Sequence, residues 1–382
     1  MIEGEKKCML GYGCARLPLL DANDQGSIDY QLFSELVDAY IARGGCYFDT
    51  AYMYHAYQSE VAVGKVVVDR YPREKLVITS KLPIGMLKSK EQQDAIFSEQ
   101  LQKCHVDFFD IYLLHSVMRN NIGIAEKLES FSFVLKKKDE GKIRHIGISF
   151  HDSPELLEQI LIGHPEIEYV QLQINYLDWE DSVVQSGACH EVAVKHDKKI
   201  IVMEPVRGGT LANVPQDIAD KIYEREGLSP AAFALRYAAG LQNVNYVLSG
   251  MSAIKQVIEN TELLHKQIIT GEGDKELASE VAEYIRKAIV IPCTSCHYCT
   301  SGCPKQIPIP EYISLYNSYR LGNDHDATKK NYFTNQKYYY GTVMRHFPRA
   351  SECIECGQCE KVCPQHINCI EVLKKIKDCF EN

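Results

Sequence analysis

Short apolar runs alternate with amphipathic stretches over residues 9 to 265, and few folds accommodate such a pattern. Alternating strands and helices form a parallel sheet with crossover helices, which is an α/β architecture. Eight runs are predicted as strands, at residues 9–13, 46–49, 75–81, 108–115, 143–149, 169–173, 199–203 and 244–248. Eight such units close a (β/α)8 TIM barrel. An open doubly wound sheet is the alternative, but the Gly-x-Gly-x-x-Gly that usually follows its first strand is missing.

The cysteines are concentrated near the carboxyl end, where ten of the 15 follow residue 290. Eight of them form two runs of the pattern Cys-x-x-Cys-x-x-Cys-x-x-x-Cys-Pro, namely Cys293, Cys296, Cys299 and Cys303, then Cys353, Cys356, Cys359 and Cys363. Three cysteines at this spacing can wrap one face of an iron–sulfur cube, and the fourth usually ligates a second cube. Structural zinc is the alternative, although zinc ribbons generally have longer gaps between two Cys-x-x-Cys pairs. The repeat therefore predicts two 4Fe-4S clusters.

Length and charge limit the domain organisation and the partners. A chain of 382 residues suggests about two domains, and we predict a barrel at residues 1–270, a connecting helix at 271–290 and a cluster domain at 291–382. The formal net charge of -9 disfavours nucleic acid and anionic membranes as partners. No apolar stretch reaches ~18 residues and the first residues lack a signal sequence, so we predict a cytoplasmic protein.

Four polar residues follow predicted strands at the end where a parallel barrel gathers its catalytic groups. Asp49 closes the second strand and Tyr54 lies five residues later, a pair that alone is more often a turn cap and a half-buried aromatic. Lys81 and His115, however, close the next two strands. Tyrosine, with a reference pKa near ~10, is a poor proton donor at neutral pH, and a neighbouring ammonium stabilises its phenolate. The four residues therefore predict an acid–base site.

Residues 290 to 370, which contain both cysteine runs, resemble a bacterial-type dicluster ferredoxin domain. The long insert between the runs departs from the compact ferredoxin and predicts a smaller, mostly helical variant. The resemblance implies one cluster held by Cys293, Cys296, Cys299 and Cys363, and a second held by Cys353, Cys356, Cys359 and Cys303. Cys369 and Cys379 are left over and are interpreted as buried or idle thiols.

A second resemblance covers roughly residues 8 to 265. It is carried by Gly44-Gly45-x-x-Phe48-Asp49-Thr50-Ala51-x-x-Tyr54, Ser59-Glu60-x-x-x-Gly64, Lys81, Asp110-x-Tyr112-Leu113-Leu114-His115 and Ile146-Gly147-Ile148-Ser149. Together these segments resemble the aldo-keto reductase family. The resemblance implies that Tyr54 is the general acid, that Lys81 and His115 flank it, and that Asp49 pairs with Lys81. It also implies reversible NAD(P)H-dependent reduction of a small-molecule carbonyl to an alcohol.

Several positions bear on how a nicotinamide would be held. Ser149 and Gln173 match family positions that hold the carboxamide, although Phe150 stands in place of the usual asparagine. Glu204 falls where many members have a tyrosine that stacks on the nicotinamide, and a carboxylate cannot stack in the same way.

The adenosine end of the site also departs from the family. Gly250, Met251 and Gln256 replace the groups that would pair with a 2'-phosphate, while Asn260 is kept. Lys255 and Arg207 are the obvious substitutes, although Arg207-Gly208-Gly209 is interpreted equally well as a plain turn. The backbone amides of Gly208 and Gly250 leave room for the phosphate of a flavin, for which the sequence has no fingerprint.

The leading hypothesis is an aldo-keto reductase barrel fused to a two-cluster module, from an anaerobe. A second hypothesis makes the clusters the whole function, with the barrel a docking platform for a redox partner such as an external ferredoxin. A third is a redox-neutral lyase or isomerase that oxidises and reduces its bound nicotinamide within one turnover.

Overall fold

The structure is a computed structural model, and it describes residues 9–21, 24–181, 184–265, 272–288, 290–294, 296–322, 340–341, 344 and 347–382. Residues 1–8 of the predicted barrel, and residues 271 and 289 of the predicted connecting helix, lie outside the described residues. The chain divides into two compact units. The first comprises Met1–Val206 and Ala231–Lys275, and the second comprises Arg207–Pro230 and Glu276–Asn382.

Parallel strands of the first unit close into a barrel in sequence order, so the predicted TIM barrel is confirmed. The strands are β1 Leu10–Gly13, β2 Tyr47–Asp49, β3 Val77–Leu82, β4 Phe109–Val117, β5 Ile143–Phe150, β6 Tyr169–Gln173, β7 Lys199–Met203 and β8 Val244–Ser249. The ladder closes where Leu10 of β1 pairs with Val247 of β8. A closed ladder leaves no exposed sheet edge, and all eight carboxyl ends meet on one rim.

Helices connect the strands and cover the barrel. Those that lie wholly or mainly in the first unit are Tyr30–Ala42, Tyr54–Tyr57, Ser59–Val63, Glu91–Cys104, Ile122–Lys127, Ser130–Asp139, Pro154–Gly163, Ser186–Lys195, Pro230–Ala239 and Ile254–His265. The first of these begins after Asp29, whose carboxylate accepts a hydrogen bond from the Leu32 amide at 2.9 Å. Its buried side chains recur at helical spacing, which turns one apolar face toward the strands.

The barrel interior is packed with side chains, so it is not a channel. The residues that fill it are Tyr47, Val77, Ile111, Leu113, Tyr169, Ile201 and Leu248. Gly147 of β5 permits this packing, because a Cβ at that position would lie 2.3 Å from the Tyr169 carbonyl oxygen. A filled interior leaves the carboxyl rim as the place for chemistry.

The second unit is helical, as predicted, and no strand occurs among its described residues. Its helices are Gln216–Glu226, Glu272–Ala288 from residue 276 onward, Tyr298–Ser301, Ile309–Gly322, Gln358–Lys361 and Cys369–Phe380. Tyr312, Ile313, Leu373, Ile376 and Phe380 are buried in its core. Across the described part of the chain, no helix has both the length and the apolar character needed to span a bilayer.

Candidate active site and cluster sites

Lys81 lies at the centre of the polar residues on the barrel rim. Its ammonium Nζ lies 2.5 Å from Asp49 Oδ1, 2.8 Å from the Thr50 carbonyl oxygen and 3.4 Å from the Tyr54 hydroxyl. The side chain is fully buried. Burial alone would lower the pKa of Lys81, but the attraction of Asp49 and Tyr54 outweighs it, and the net effect is a raised pKa. Lys81 is therefore a fixed cation beside the Tyr54 phenol.

The register of the barrel explains why Lys81 meets Asp49. Asp49 of β2 pairs with Thr79 of β3, and Lys81 is the next residue of β3 on the same face. The other carboxylate oxygen of Asp49 accepts a hydrogen bond from Gln171 Nε2 at 2.9 Å. Gln171 was not among the predicted site residues. Its position on β6, two residues after the inward-facing Tyr169, is the signal that could have identified it.

Tyr54 and His115 face each other across the site. Their rings are 5.7 Å apart in an edge-to-face arrangement. Burial, together with Lys81 and His151, holds the pKa of His115 well below its usual 6.5, so the imidazole is neutral at pH 7. No described residue accepts from or donates to the buried Nδ1 of His115. The ring therefore retains hydrogen-bonding capacity for a ligand.

A second histidine accompanies this group. His151 follows β5, and its Nε2 lies 3.3 Å from Ser149 Oγ. Burial and the charge of Lys81 lower the pKa of His151 to about 4. His151 was absent from the sequence prediction, although a histidine two residues after Ser149 at a strand end is a recognisable signal.

The backbone around Tyr54 is held in an unusual conformation. His55, Ala56 and Tyr57 all have positive φ values, of 52°, 50° and 69°. L-residues adopt this left-handed region at a cost, so surrounding contacts must hold it. His55 provides two of them, because its Nε2 accepts from the Leu17 amide at 2.9 Å and its Nδ1 lies 3.1 Å from the Gln25 carbonyl oxygen. These contacts fix the segment that carries Tyr54.

The predicted nicotinamide residues of the first unit have partners within the protein. Gln173 donates to Asp178 Oδ2 at 2.7 Å, and Ser149 is buried beside His151. Glu204 forms an ion pair with Arg16 at 3.2 Å. Glu204, at the position where many family members have a stacking tyrosine, thus has its charge paired with Arg16.

The predicted adenosine-end residues fall in different units. A Cβ on Gly250 would lie 3.1 Å from Arg16 Cβ, and Asn260 Nδ2 donates to Ser249 Oγ at 3.1 Å. These residues belong to the first unit. Arg207 and Gly208 belong to the second unit, where they form a turn with left-handed φ values of 48° and 63°.

The cysteine runs line two cavities of the second unit. One is lined by Cys293, Cys296, Cys299 and Cys363, with Cys369 beside them. The other is lined by Cys353, Cys356, Cys359 and Cys303. Each cavity thus takes three cysteines from one run and the fourth from the other. These are the two sets that the ferredoxin resemblance implied.

The cysteines that line each cavity suit a polynuclear group. Structural zinc draws four thiolates to about 2.3 Å from one point. Among the described side chains, no three His, Cys, Asp or Glu groups converge in this way. Four thiols that line one cavity match the donor set of a 4Fe-4S cube, in which each cysteine binds a different iron.

A barrel site together with a cluster-binding unit is the plan of an iron–sulfur oxidoreductase, and comparison with known proteins specifies the family. Residues 9–273 match the Aldo/keto reductase family, and residues 292–368 match the 4Fe-4S dicluster domain. The chain belongs to the aldo/keto reductase family and carries a carboxyl-terminal 4Fe-4S dicluster domain.

Relatives with similar sequences cover more than half of the chain. An aldo-keto reductase of Mycolicibacterium paratuberculosis is 27% identical in an alignment of 278 residues that covers 70% of this chain and 87% of that protein. Methylglyoxal reductase DkgB of Escherichia coli O157:H7 is also 27% identical, over 60% of this chain and 81% of its own length.

Solved structures share the barrel fold. The holo form of aldo-keto reductase AKR11C1 from Bacillus halodurans has a TM-score of 0.58 and 22% identity, covering 72% of this chain and 91% of its own. An aldo/keto reductase from Klebsiella pneumoniae, solved with NADP and acetate, has a TM-score of 0.57 and 19% identity over the same shares.

Proposed function

We propose that the protein reduces the carbonyl group of a small molecule with a nicotinamide cofactor, and that Tyr54 donates the proton. The observation that supports this proposal is the buried Lys81 ammonium, 2.5 Å from Asp49 and 3.4 Å from the Tyr54 hydroxyl. A cation at this distance stabilises the phenolate and eases release of the proton. The same groups can take a proton from an alcohol, so the reaction is reversible.

Each side chain has a distinct task. NAD(P)H, when bound, supplies a hydride to the carbonyl carbon, and the electron pair of the C=O bond moves to the oxygen. Tyr54 donates its proton to that oxygen, and Lys81 stabilises the phenolate that remains. The neutral His115 imidazole donates a hydrogen bond to the same oxygen. Asp49 holds the Lys81 ammonium in position.

The relatives support a nicotinamide and a small carbonyl substrate. NADP is bound in the Klebsiella pneumoniae structure, and the Escherichia coli relative is named for methylglyoxal. In this chain, Ser149 and Gln173 are the residues proposed to hold the nicotinamide carboxamide. The two sets of four cysteines are proposed to hold two 4Fe-4S clusters, which either relay electrons to an external ferredoxin or stabilise their domain.

The test is a titration of the holoenzyme with NADH and NADPH, followed by a screen of small aldehydes and ketones. Tyr54→Phe should lower turnover by about 10² or more while nicotinamide binding persists. Tyr52→Phe is the matched control, because the Tyr52 hydroxyl donates to Glu99 at 2.8 Å. Comparable turnover in Tyr54→Phe and the wild type would contradict the assignment.

A further inference from the structure

The two cysteine loops have nearly the same backbone, although their sequences differ. Positive φ values recur at an interval of 60 residues, at His297 and Gly357 and again at Gln306 and His366. Three backbone hydrogen bonds recur at the same interval: Cys303 N to Thr300 O with Cys363 N to Glu360 O, Gln306 N to Cys303 O with His366 N to Cys363 O, and Ile309 N to Ile307 O with Cys369 N to Ile367 O. The loops can therefore be compared position by position.

That comparison places Cys369 opposite Ile309. Each residue begins the helix that follows its loop, and each is 1% exposed. Ile309 lines both cavities and presents only carbon to them. Cys369 lines the cavity that contains Cys363. A thiol thus occupies, on one side of the pseudo-symmetric pair, the position that an aliphatic side chain occupies on the other.

The Cys369 thiol lies within hydrogen-bonding reach of the thiols of both Cys359 and Cys363. These two cysteines line different cavities. Each cavity already has four cysteines of its own, so neither needs Cys369 as a ligand. A thiol has one proton and can donate one full hydrogen bond at a time.

We propose that Cys369 is a positioning residue that couples the two clusters, because its single S–H bond can be donated to a ligand sulfur of one cluster or of the other. This inference rests on the proposed assignment of two 4Fe-4S clusters. Hydrogen bonds to cluster sulfurs stabilise the reduced, more negative state and raise the reduction potential. The S–H bond therefore turns toward whichever cluster has accepted an electron.

Because the two clusters share one S–H proton, reduction of one cluster makes reduction of the other less favourable, so the coupling between them is negative. The first electron is stabilised because the S–H bond moves to the reduced cluster. The second electron is not stabilised by this hydrogen bond, because Cys369 has no second proton to donate. Cys369 thus raises the first midpoint potential, leaves the second unchanged, and widens the interval between them. An interval of this kind favours a state with one electron in the pair of clusters.

The experiment is an EPR-monitored redox titration of the full-length holoenzyme. Cys369→Ala should lower the first midpoint potential by ~59 mV, which is a tenfold change in the equilibrium constant for one-electron reduction. The second midpoint potential should stay unchanged. Cys369→Ser retains a donor and should keep the wild-type interval. Cys379→Ala, on the same helix, is the matched control and should also keep it.

Iron analysis separates this inference from the proposal on which it rests. Wild-type protein without about eight irons per chain would overturn the two-cluster assignment itself. With clusters present, an unchanged interval in Cys369→Ala would overturn the coupling role and leave Cys369 a packing residue. Loss of about four irons in Cys369→Ala would also overturn it, because Cys369 would then be a ligand. A narrowed interval that Cys369→Ser restores would support it.

Discussion

At the scale of single residues, the proposed chemistry depends on Lys81, and the charge of Lys81 depends on Asp49. Both side chains are almost fully buried. Removing one partner of a buried ion pair leaves an uncompensated charge, at a cost of roughly 3–5 kcal/mol. We therefore expect Asp49→Asn to lower the free energy of unfolding by about that amount and to abolish turnover. Urea denaturation and a carbonyl reduction assay measure the two effects.

The exposed ion pair of Arg70 and Asp38 is the matched control. It has an N–O distance of 2.7 Å, but its side chains are 35% and 49% exposed. Asp38→Asn should therefore cost about 1 kcal/mol or less. Combining Asp49→Asn with Lys81→Met removes the isolated charge and should restore stability without restoring turnover. If Asp49→Asn and Asp38→Asn destabilise the protein equally, Asp49 does not compensate a buried charge on Lys81.

His115 and His151 link acid stability to the same site. Burial and Lys81 lower the pKa of His115 well below 6.5 and that of His151 to about 4. Below pH 6.5 the unfolded chain binds protons at these positions, whereas the folded protein does not. The free energy of unfolding therefore falls as the pH drops from 6.5 toward 4, and is unaffected by these groups at pH 7.

For His151 a shift of this size corresponds to roughly 3 kcal/mol over the whole range. Between pH 7 and pH 4.5, the free energy of unfolding measured by urea denaturation should therefore fall less in His151→Gln than in the wild type. His105→Gln is the control, since the His105 side chain is 40% exposed. The same loss in His151→Gln and wild type would show that His151 takes up its proton without penalty in the folded state.

The sequence was most informative about residues whose chemistry is unusual at their position. The resemblance to the aldo-keto reductase family predicted that Asp49 pairs with Lys81, and such a pairing compensates both charges when the two side chains are buried. Gln171 and His151 could not be selected as site residues from the sequence in the same way. Glutamine and histidine occur at many positions in and after barrel strands, and only the structure shows that Gln171 donates to Asp49 and that His151 lies beside Ser149.

At the scale of elements, the strands were predictable because buried parallel strands form continuous apolar runs. The predicted strand at residues 75–81 is observed as Val77–Leu82, since Arg73–Lys75 forms a 3-10 turn first. The irregular segments were not predictable. Ser116 has a φ of 54° within β4, and the register with β5 shifts between Leu114 and Val117. No local pattern in the sequence predicts that register shift.

The start of the helix Ile254–His265 determines a prediction about nucleotide preference. Gln256 Oε1 accepts hydrogen bonds from the Ser252 amide at 2.8 Å and the Ala253 amide at 3.1 Å, so its side chain caps the helix. Lys255 is exposed and lies 3.6 Å from Glu259. A missing charge-assisted hydrogen bond removes roughly 1.5–3 kcal/mol, or about tenfold to a hundredfold in affinity. We therefore expect no strong preference for NADPH over NADH.

Fluorescence titration with both nucleotides measures the preference. Gln256→Arg adds a cation at this helix start and should improve NADPH binding by about tenfold while NADH binding stays unchanged. Lys255→Ala is the control and should leave the ratio unaltered. A large wild-type preference for NADPH that disappears in Lys255→Ala would show that Lys255 binds the 2'-phosphate.

At the scale of the whole molecule, the two chemistries are assigned to separate units. The four proposed catalytic side chains belong to the first unit, and the eight cysteines proposed as cluster ligands belong to the second. The cysteine count alone could predict this partition, because ten cysteines follow residue 290. A nicotinamide passes two electrons as one hydride, whereas a 4Fe-4S centre normally passes one electron at a time. Exchange between them would need an intermediary such as a flavin.

We therefore predict that the clusters are not on the hydride path. Cys356→Ala removes one proposed ligand from the cavity that Cys353 and Cys359 also line, and it should lower the iron content by about half. NAD(P)H-dependent carbonyl reduction should remain within about twofold of the wild type, because the hydride and the Tyr54 proton balance the reaction without cluster electrons. Cys379→Ala is the matched control and should keep all the iron. If turnover disappears in Cys356→Ala while circular dichroism and nicotinamide binding are unchanged, electrons must pass through the clusters during reduction.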